Sequence, residues 1–329
     1  MATLRDIAQH LGVSESTVSL VLNGKGRVSA ATRARVLAYS EAVDYRPNQW
    51  AQALKRQAAH SIGVVVPDIS NEFYALLFKA LDSRLSRDGF TPILFNIGGD
   101  LDREQEFVDH LLSSTVDGLV VATAGSGVYA GLARSSLSRL VFVDNLPAGP
   151  IADCAFVGAD NVDSSYRLTQ HLVERGHTRI ATLMGSVGES SARDRLQGFQ
   201  RCLADNGIEA RQDWVARTNF QYADGLAKTE ELLSLPEPPT AVVAQNNVLA
   251  YAAFRVARSR ALAVPADVAI ACFDHLDTYG FMRPVITTVV QPLEHMAELA
   301  CNLLREGIAG RRGGSQHYLP ATLQVGETT

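Results

Sequence analysis

The sequence predicts an α/β protein: a small all-α headpiece at the N-terminus, followed by a two-lobed core built on parallel sheets. Three observations carry that prediction. Within residues 3–22, two short helical patterns lie on either side of a glycine. From Ile62 the text changes to apolar strands alternating with amphipathic helices. A length of 329 residues exceeds one ordinary core and sets an expectation of two or three domains.

In the headpiece, Leu4, Ile7, Ala8 and Leu11 recur at helical spacing, and Gly12 ends the run where a tight turn needs positive φ. Ser14 can cap a second helix with Val18, Val21 and Leu22 facing inward. Glu15, Ser16, Thr17, Ser19 and Leu20 are then left outward or along its edge. Two short helices across a glycine turn, the second led by small polar residues, form a helix-turn-helix whose second helix is of a size to enter a DNA major groove. Ser29 caps a third helix from about Ala30 to Ala42, with Val36, Leu37 and Val43 as its expected buried side. Pro47 prevents that helix from continuing, because the residue before a proline avoids the helical region. Asn48 can start a further short helix, Gln49 to Lys55, which is too short to be stable alone. The expected boundaries are therefore a headpiece at 1–47, a hinge helix and linker at 48–60, and a core at 61–329.

Charge supports a partner for the headpiece. Residues 1–60 hold eight Lys and Arg against four acids, whereas the whole chain carries −5, so the remainder has an excess of nine acids. A basic module on an acidic body is what attraction to phosphate at one end requires, which predicts DNA binding.

In the core, IGVVVPD, TPILFNIG, DGLVVAT, RLVFVDN, RIATLMG, TAVVAQN and VAIACFD read as strands. Helices are expected at 73–88 and 103–114, and near 163–175, 192–206, 224–234, 247–260 and 292–308. Repeated βα units with continuous apolar strands mean parallel sheets covered on both faces. The units are too many for one mononucleotide-type sheet, so two lobes with a cleft are expected, an N-lobe of about 61–160 plus 291–322 and a C-lobe of about 161–290. Ligands in such sheets bind beyond the carboxyl ends of the strands. That singles out Asp68, Asn71, Asp144, Asn145, Asn246, Asn247, Asp274 and His275.

Cys154, Cys202, Cys272 and Cys301 are far apart and without metal-ligand spacing, so buried free thiols are expected and no metal. The start MATLRDIAQH has no apolar leader, and no run reaches membrane-spanning length, which predicts a cytoplasmic protein. An enzyme is a weak rival. Gly125, Gly127 and Gly131 imitate a dinucleotide-binding turn but follow the wrong unit, and no GxSxG or HExxH is present. No catalytic residue and no cofactor is expected. A sugar-binding protein that does not bind DNA would suit the core alone, but not the basic headpiece.

Eight segments in order give the chain a wider likeness: TVSLVLNGKGRVS, YRPNQWAQAL, IGVVVPDISNEFY, VDGLVV, RGHTRIA, SARDRLQGF, VPADVAIACFDH and RPVITTVVQP. On these the chain resembles the lactose-repressor (LacI/GalR) family of bacterial transcription regulators along essentially its whole length. The resemblance implies a repressor with a hinge helix that forms on DNA and a core like that of periplasmic sugar-binding proteins. It also implies a homodimer on an approximately palindromic operator, with a tetramer left open.

The resemblance further implies base reading by Glu15, Ser16 and Leu20, with phosphate contacts from Thr17, Ser19, Asn23, Arg27 and Ser29. Leu20 departs from a frequent family arginine and cannot make the bidentate guanine contact, although it can touch a thymine methyl. Leu54, with Ala51 and Lys55 beside it, matches the hinge leucine that wedges into the minor groove. For a small-molecule effector it implies Asn71, Phe73, Tyr74, Asp144, Ser191, Arg193, Phe220, Asn246 and Asp274, with Gln291 nearby. That set suits a sugar or sugar derivative: carboxylates accept from hydroxyls, Arg193 and Asn246 donate, and aromatic rings cover apolar ring faces. Asn247 and His275 stand where the family commonly has acids, which favours a sugar acid or phosphate; a purine-type effector is the alternative.

Overall fold

The computed structural model describes residues 4–22, 28–43, 60–111, 116–125, 127–149, 151, 154–274, 283–311 and 314–329. Residues Asn23, Arg27, Ala51, Leu54, Lys55 and His275, and nearly all of the hinge, lie outside them, as does the side chain of Leu4. The chain divides into two units, Met1–Ala59 and His60–Thr329.

The first unit holds α1 (Leu4–Leu11), α2 (Glu15–Leu22) and α3 (Ala30–Ala42). Gly12 has φ +65° between α1 and α2. The Ser14 hydroxyl accepts from the Thr17 amide at 3.1 Å, and the Ser29 hydroxyl accepts from the Thr32 amide at 3.2 Å, so both hydroxyls satisfy helix N-terminal donors. Ile7, Ala8, Val18, Val21 and Val36 form the small core. Leu37 departs from the expected inward face. It is 48% exposed, because Val36 and Ser40, four apart, share the buried side of α3.

The N-lobe sheet of the second unit uses β1 (Ser61–Val66), β2 (Thr91–Asn96), β3 (Gly118–Val121), β4 (Leu140–Val143) and β5 (Ala155–Ala159). Its longer helices before β5 are α4 (Glu72–Arg87) and α5 (Leu101–His110), and one short turn of helix spans Arg134–Leu137. The C-lobe runs α6 (Asn161–Glu174), β6 (Ile180–Met184), α7 (Ser190–Asp205), β7 (Val215–Arg217), α8 (Tyr222–Leu233), β8 (Ala241–Ala244), α9 (Asn247–Ser259), β9 (Ala269–Phe273) and β10 (Thr287–Val290). The chain then returns through α10 (Leu293–Ile308) and β11 (Gln316–Leu319) before ending in β12 (Thr322–Gln324).

The two six-stranded sheets have the orders β11-β5-β4-β3-β1-β2 and β12-β10-β9-β8-β6-β7. All pairings are parallel except that of β10 with β12. Thr322 thus pairs in the C-lobe sheet, and the N-lobe return closes at Leu319.

On one face of the N-lobe sheet, Leu77, Leu81 and Leu85 of α4 meet Met296, Ala300 and Leu304 of α10. The four-residue spacing of the leucines puts them on one stripe, and burying each contributes about 1.5–3 kcal/mol. The other face packs Leu119, Val121, Tyr129 and Phe142. In the C-lobe, α6 and α7 approach so closely that a Cβ on Gly198 would lie 2.1 Å from the Val162 carbonyl oxygen. All four cysteines are buried free thiols. No helix among the described residues is long and apolar enough to cross a membrane.

Candidate functional site

Two surfaces carry chemistry, one in each unit. On α2, Val18 and Val21 are buried while Glu15, Ser16 and Leu20 are exposed and Thr17 and Ser19 half-exposed. Leu20 is 41% exposed although large and apolar, and the other core-forming side chains of α2 do not need it. The helix thus presents one outward face of small polar groups and a leucine. Ser29, also exposed, is occupied as the cap of α3.

In the second unit, a cavity of about 200 Å³ opens at the carboxyl ends of the strands. From the N-lobe it is lined by Pro67, Asp68, Asn71, Phe73, Tyr74, Gly99, Leu101, Ala124 and Asp144. From the C-lobe come Ser186, Glu189, Ser191, Arg195, Asn219, Phe220, Gln221, Asn246, Val248 and Asp274. Asn71 and Asn246 cap α4 and α9, accepting from the amides of Phe73 and Leu249. Phe73 and Tyr74 stand edge to face with ring centroids 5.0 Å apart.

Asp144, Phe220 and Asp274 all have positive φ, at 64°, 62° and 77°. Non-glycine residues rarely adopt that region, and such strain concentrates where side chains must be aimed. Phe220 is seated against Gly185, where an added Cβ would fall 1.8 Å from the ring. Gly185→Ala should therefore push this wall of the cavity aside and lower stability by about 1–3 kcal/mol, measured by urea unfolding. An unchanged midpoint would mean that the ring relocates without cost.

Arg195 is the centre of the cavity's electrostatics. Its side chain is 3% exposed, and Nη2 lies 4.0 Å from Asp144 Oδ1 and 3.9 Å from Asp274 Oδ1. Nε donates to Asn161 Oδ1 at 2.8 Å and Nη1 donates to the Gln245 carbonyl. Gln291 does not line the cavity but donates from Nε2 to Asp274 Oδ1 at 2.6 Å, fixing that carboxylate from behind. Tyr74 donates its hydroxyl to Asp144 Oδ2 at 3.1 Å.

Arg193 is not a lining residue. It is exposed, and its Nη1 donates to the carbonyls of Val187 and Gly188, each at 2.9 Å. The expectation of Arg193 in the cavity is corrected to Arg195. Positions two apart on a helix point to opposite sides, whereas Ser191 and Arg195, four apart, share one side of α7. That spacing is the signal in the sequence that separates the two arginines.

Glu189 is a cavity residue that the sequence does not announce, having no periodic signal to find it. It precedes α7, is 9% exposed, and lines the cavity. Asn145 Nδ2 donates both to Asp144 Oδ2 at 3.2 Å and to Glu189 Oε2 at 3.1 Å, so one amide spans the two lobes. The Ser191 amide donates to Asn145 Oδ1 at 2.9 Å, and the Leu146 amide to Ser190 Oγ at 2.8 Å. Gly125 completes the seam: a Cβ there would lie 2.6 Å from the Gly188 carbonyl oxygen. Burial pushes the Glu189 carboxyl up to about 8, aided by the neighbouring Asp144. Burial likewise pushes Asp144 up to about 6, against the pull of Arg195.

Chemically, the cavity can accept hydrogen bonds at several carboxylates, donate from one guanidinium, and cover an apolar ring face. Among the described residues no group of three or more His, Cys, Asp or Glu is arranged to hold a metal ion.

Two family models match parts of the chain. The family described as bacterial regulatory proteins, lacI family, matches residues 3–48, and a periplasmic binding protein-like domain matches residues 169–329. The transcriptional regulator DegA of Bacillus subtilis is 32% identical over 334 residues, covering 99% of this chain and 98% of that protein. The Lac repressor dimer bound to operator and the anti-inducer ONPF is 26% identical, with a TM-score of 0.82, over 99% of this chain and 98% of that one. The complex of the transcriptional regulator CelR with cellobiose is 29% identical, with a TM-score of 0.72, over the whole of both chains.

Proposed function

The chain belongs to the lacI family of DNA-binding transcriptional repressors, and from that membership we propose that a small, hydroxyl-rich molecule in the cleft controls its hold on an approximately palindromic operator. The observation that carries the effector reading is Arg195, buried between Asp144 and Asp274 at the wall of a cavity with Phe73, Tyr74 and Phe220. A sugar hydroxyl both donates and accepts, so it can take a proton donor from Arg195 while giving its own to a carboxylate. The cavity lies below the roughly 300–1,000 Å³ typical of drug-sized ligands, which suits a molecule of one ring. The cellobiose complex of CelR supports a carbohydrate.

This reading reverses the preference for an anion. Arg193 faces away, and Asn247 is buried outside the lining, while His275 lies outside the described residues. Among the described residues, four carboxyls, Asp68, Asp144, Glu189 and Asp274, line the cavity with one guanidinium, that of Arg195. A sugar acid or phosphate would meet an excess of negative charge.

In the mechanism, ligand contacts to both lobes bias the seam at Asn145, and the lobe arrangement sets how two headpieces of a dimer are spaced. The ligand's influence equals its differential affinity for the two arrangements. The Lac repressor dimer on its operator supports the dimer, and a two-fold dimer suits a two-fold site. With relatives that are regulators, the cavity reads as a sensor and not as a reaction centre.

The DNA reading is tested at Leu20. Leu20→Arg should move the selected base toward guanine at one symmetric pair of operator positions, because a bidentate pair discriminates by about 1–3 kcal/mol. Selection from random DNA checks this; the same consensus for both proteins would remove Leu20 from the base edges. Thermal-shift screening against sugars checks the cavity.

A further inference from the structure

Resting on the effector-site reading above, we propose that Glu189 is a specificity-determining residue that selects a ligand carrying a positive charge, an ammonium-bearing sugar or polyol, seated between Asp144 and Glu189. Asp144 comes from the N-lobe and Glu189 from the C-lobe, and they share a single Asn145 amide across the seam. Asp144 is 5% exposed and lines the cavity; Gln291 also faces its carboxyl, but its Nε2 is given to Asp274 Oδ1, and no donor meets Asp144 Oδ1 with hydrogen-bond geometry. Arg195 cannot supply that bond where it stands. Its Nη2 is 4.0 Å from Oδ1, while Nε and Nη1 are committed to Asn161 and the Gln245 carbonyl.

The other charged or titratable groups acting on Glu189 are Arg195 within the C-lobe and, from the N-lobe, Glu104 of α5 and the Tyr74 hydroxyl, whose proton burial holds firmly in place. Glu104 is itself fully buried and accepts from Tyr129 at 2.5 Å and the Ala124 amide at 3.0 Å. Two carboxylates brought together across a seam, with one guanidinium already flanked by Asp144 and Asp274, need another positive charge. A proton on Glu189 supplies it when nothing else does, consistent with a carboxyl raised to about 8. An ammonium group supplies it better, since it donates to both carboxylates and also meets the aromatic faces of Phe73 and Tyr74. When the amine enters already protonated, Glu189 ionises and its proton leaves to solvent. Binding therefore releases up to one proton at neutral pH. A neutral sugar leaves that proton in place.

The test is isothermal titration of the full-length protein at pH 7 with glucosamine, galactosamine and mannosamine, each against its neutral parent sugar. The expected result is that at least one amine binds about tenfold or more tighter than its parent. Its heat should also vary with buffer ionisation enthalpy as the release of up to one proton requires. In Glu189→Gln, and independently in Asp144→Asn, the gap should narrow and the proton release fall, with circular dichroism confirming the fold of each variant. Neutral sugars binding as well as or better than their amines would overturn charge selection and leave the effector-site reading standing. A gap unchanged in both variants would overturn the role of the pair. No binding by any of the six would overturn the carbohydrate reading, and this proposal with it.

Discussion

Arg195→Ala should destabilise the core by about 3–5 kcal/mol, the loss expected when one partner of a buried charge group is removed and the others are left uncompensated. Asp144 and Asp274 each lie about 4 Å from the guanidinium and are themselves nearly fully buried. Asn161 Oδ1 and the Gln245 carbonyl also lose their donor. Lowering the pH should recover part of the loss, because protonating Asp144 removes one of the stranded charges. Arg193→Ala is the matched control on the same helix. Its side chain is exposed and donates only to the Val187 and Gly188 carbonyls, so a loss below about 1 kcal/mol is expected. Urea unfolding of both variants decides the matter, and equal losses would contradict the placement of α7.

The second large effect is a fall of stability with rising pH. Asp144 and Glu189 hold their protons more tightly in the folded chain, up to about 6 and about 8, than their ordinary values of 3.8 and 4.5. Over that window the native state binds more protons than the unfolded state, so the unfolding free energy decreases as pH rises. Below the ordinary values both states are protonated and the penalty is absent; above the folded values it is fully present. Each group contributes a slope of up to about 1.4 kcal/mol per pH unit. For Glu189, which is buried, the total across its window is several kcal/mol. Glu189→Gln should flatten the profile between about pH 6 and 8, and Asp144→Asn should flatten it below that. A wild-type unfolding free energy that is level from pH 5 to 8 would show both carboxyls to be ordinary.

How legible each part of the molecule is in the sequence depends on the range of the interactions that set it. The headpiece is legible nearly residue by residue. Its turn, caps and core stripe are set by neighbours within four positions: Gly12 in the turn, Ser14 and Ser29 on the helix ends, Val18 beside Val21. Leu37 is the exception, because Val36 and Leu37 are equally apolar, and only the packing of α3 on α1 and α2 chooses between them. The strands with continuous apolar runs, β1, β2, β3, β4, β6, β8 and β9, are equally plain. The others are not: β7, β10, β11 and β12 mix polar with apolar residues, and β5 is interrupted by Gly158.

The sequence by itself determined the fold class, the outward face of α2, and the family. It also placed Asn71, Asp144, Asn246 and Asp274 beyond strand ends, where parallel sheets gather ligands. The spacing of Ser191 and Arg195 separates the two arginines, but only the tertiary structure decided that Arg195 meets those carboxylates, that Glu189 joins them, and that the cavity is acidic. The cavity's charge is a sum over side chains from distant parts of the chain, Asp68, Asp144, Glu189, Arg195 and Asp274, which become neighbours only when two sheets close on each other. Local pattern records which residues can be buried on one element. The dielectric around a carboxyl, and the identity of the charge facing it, are set by the other lobe.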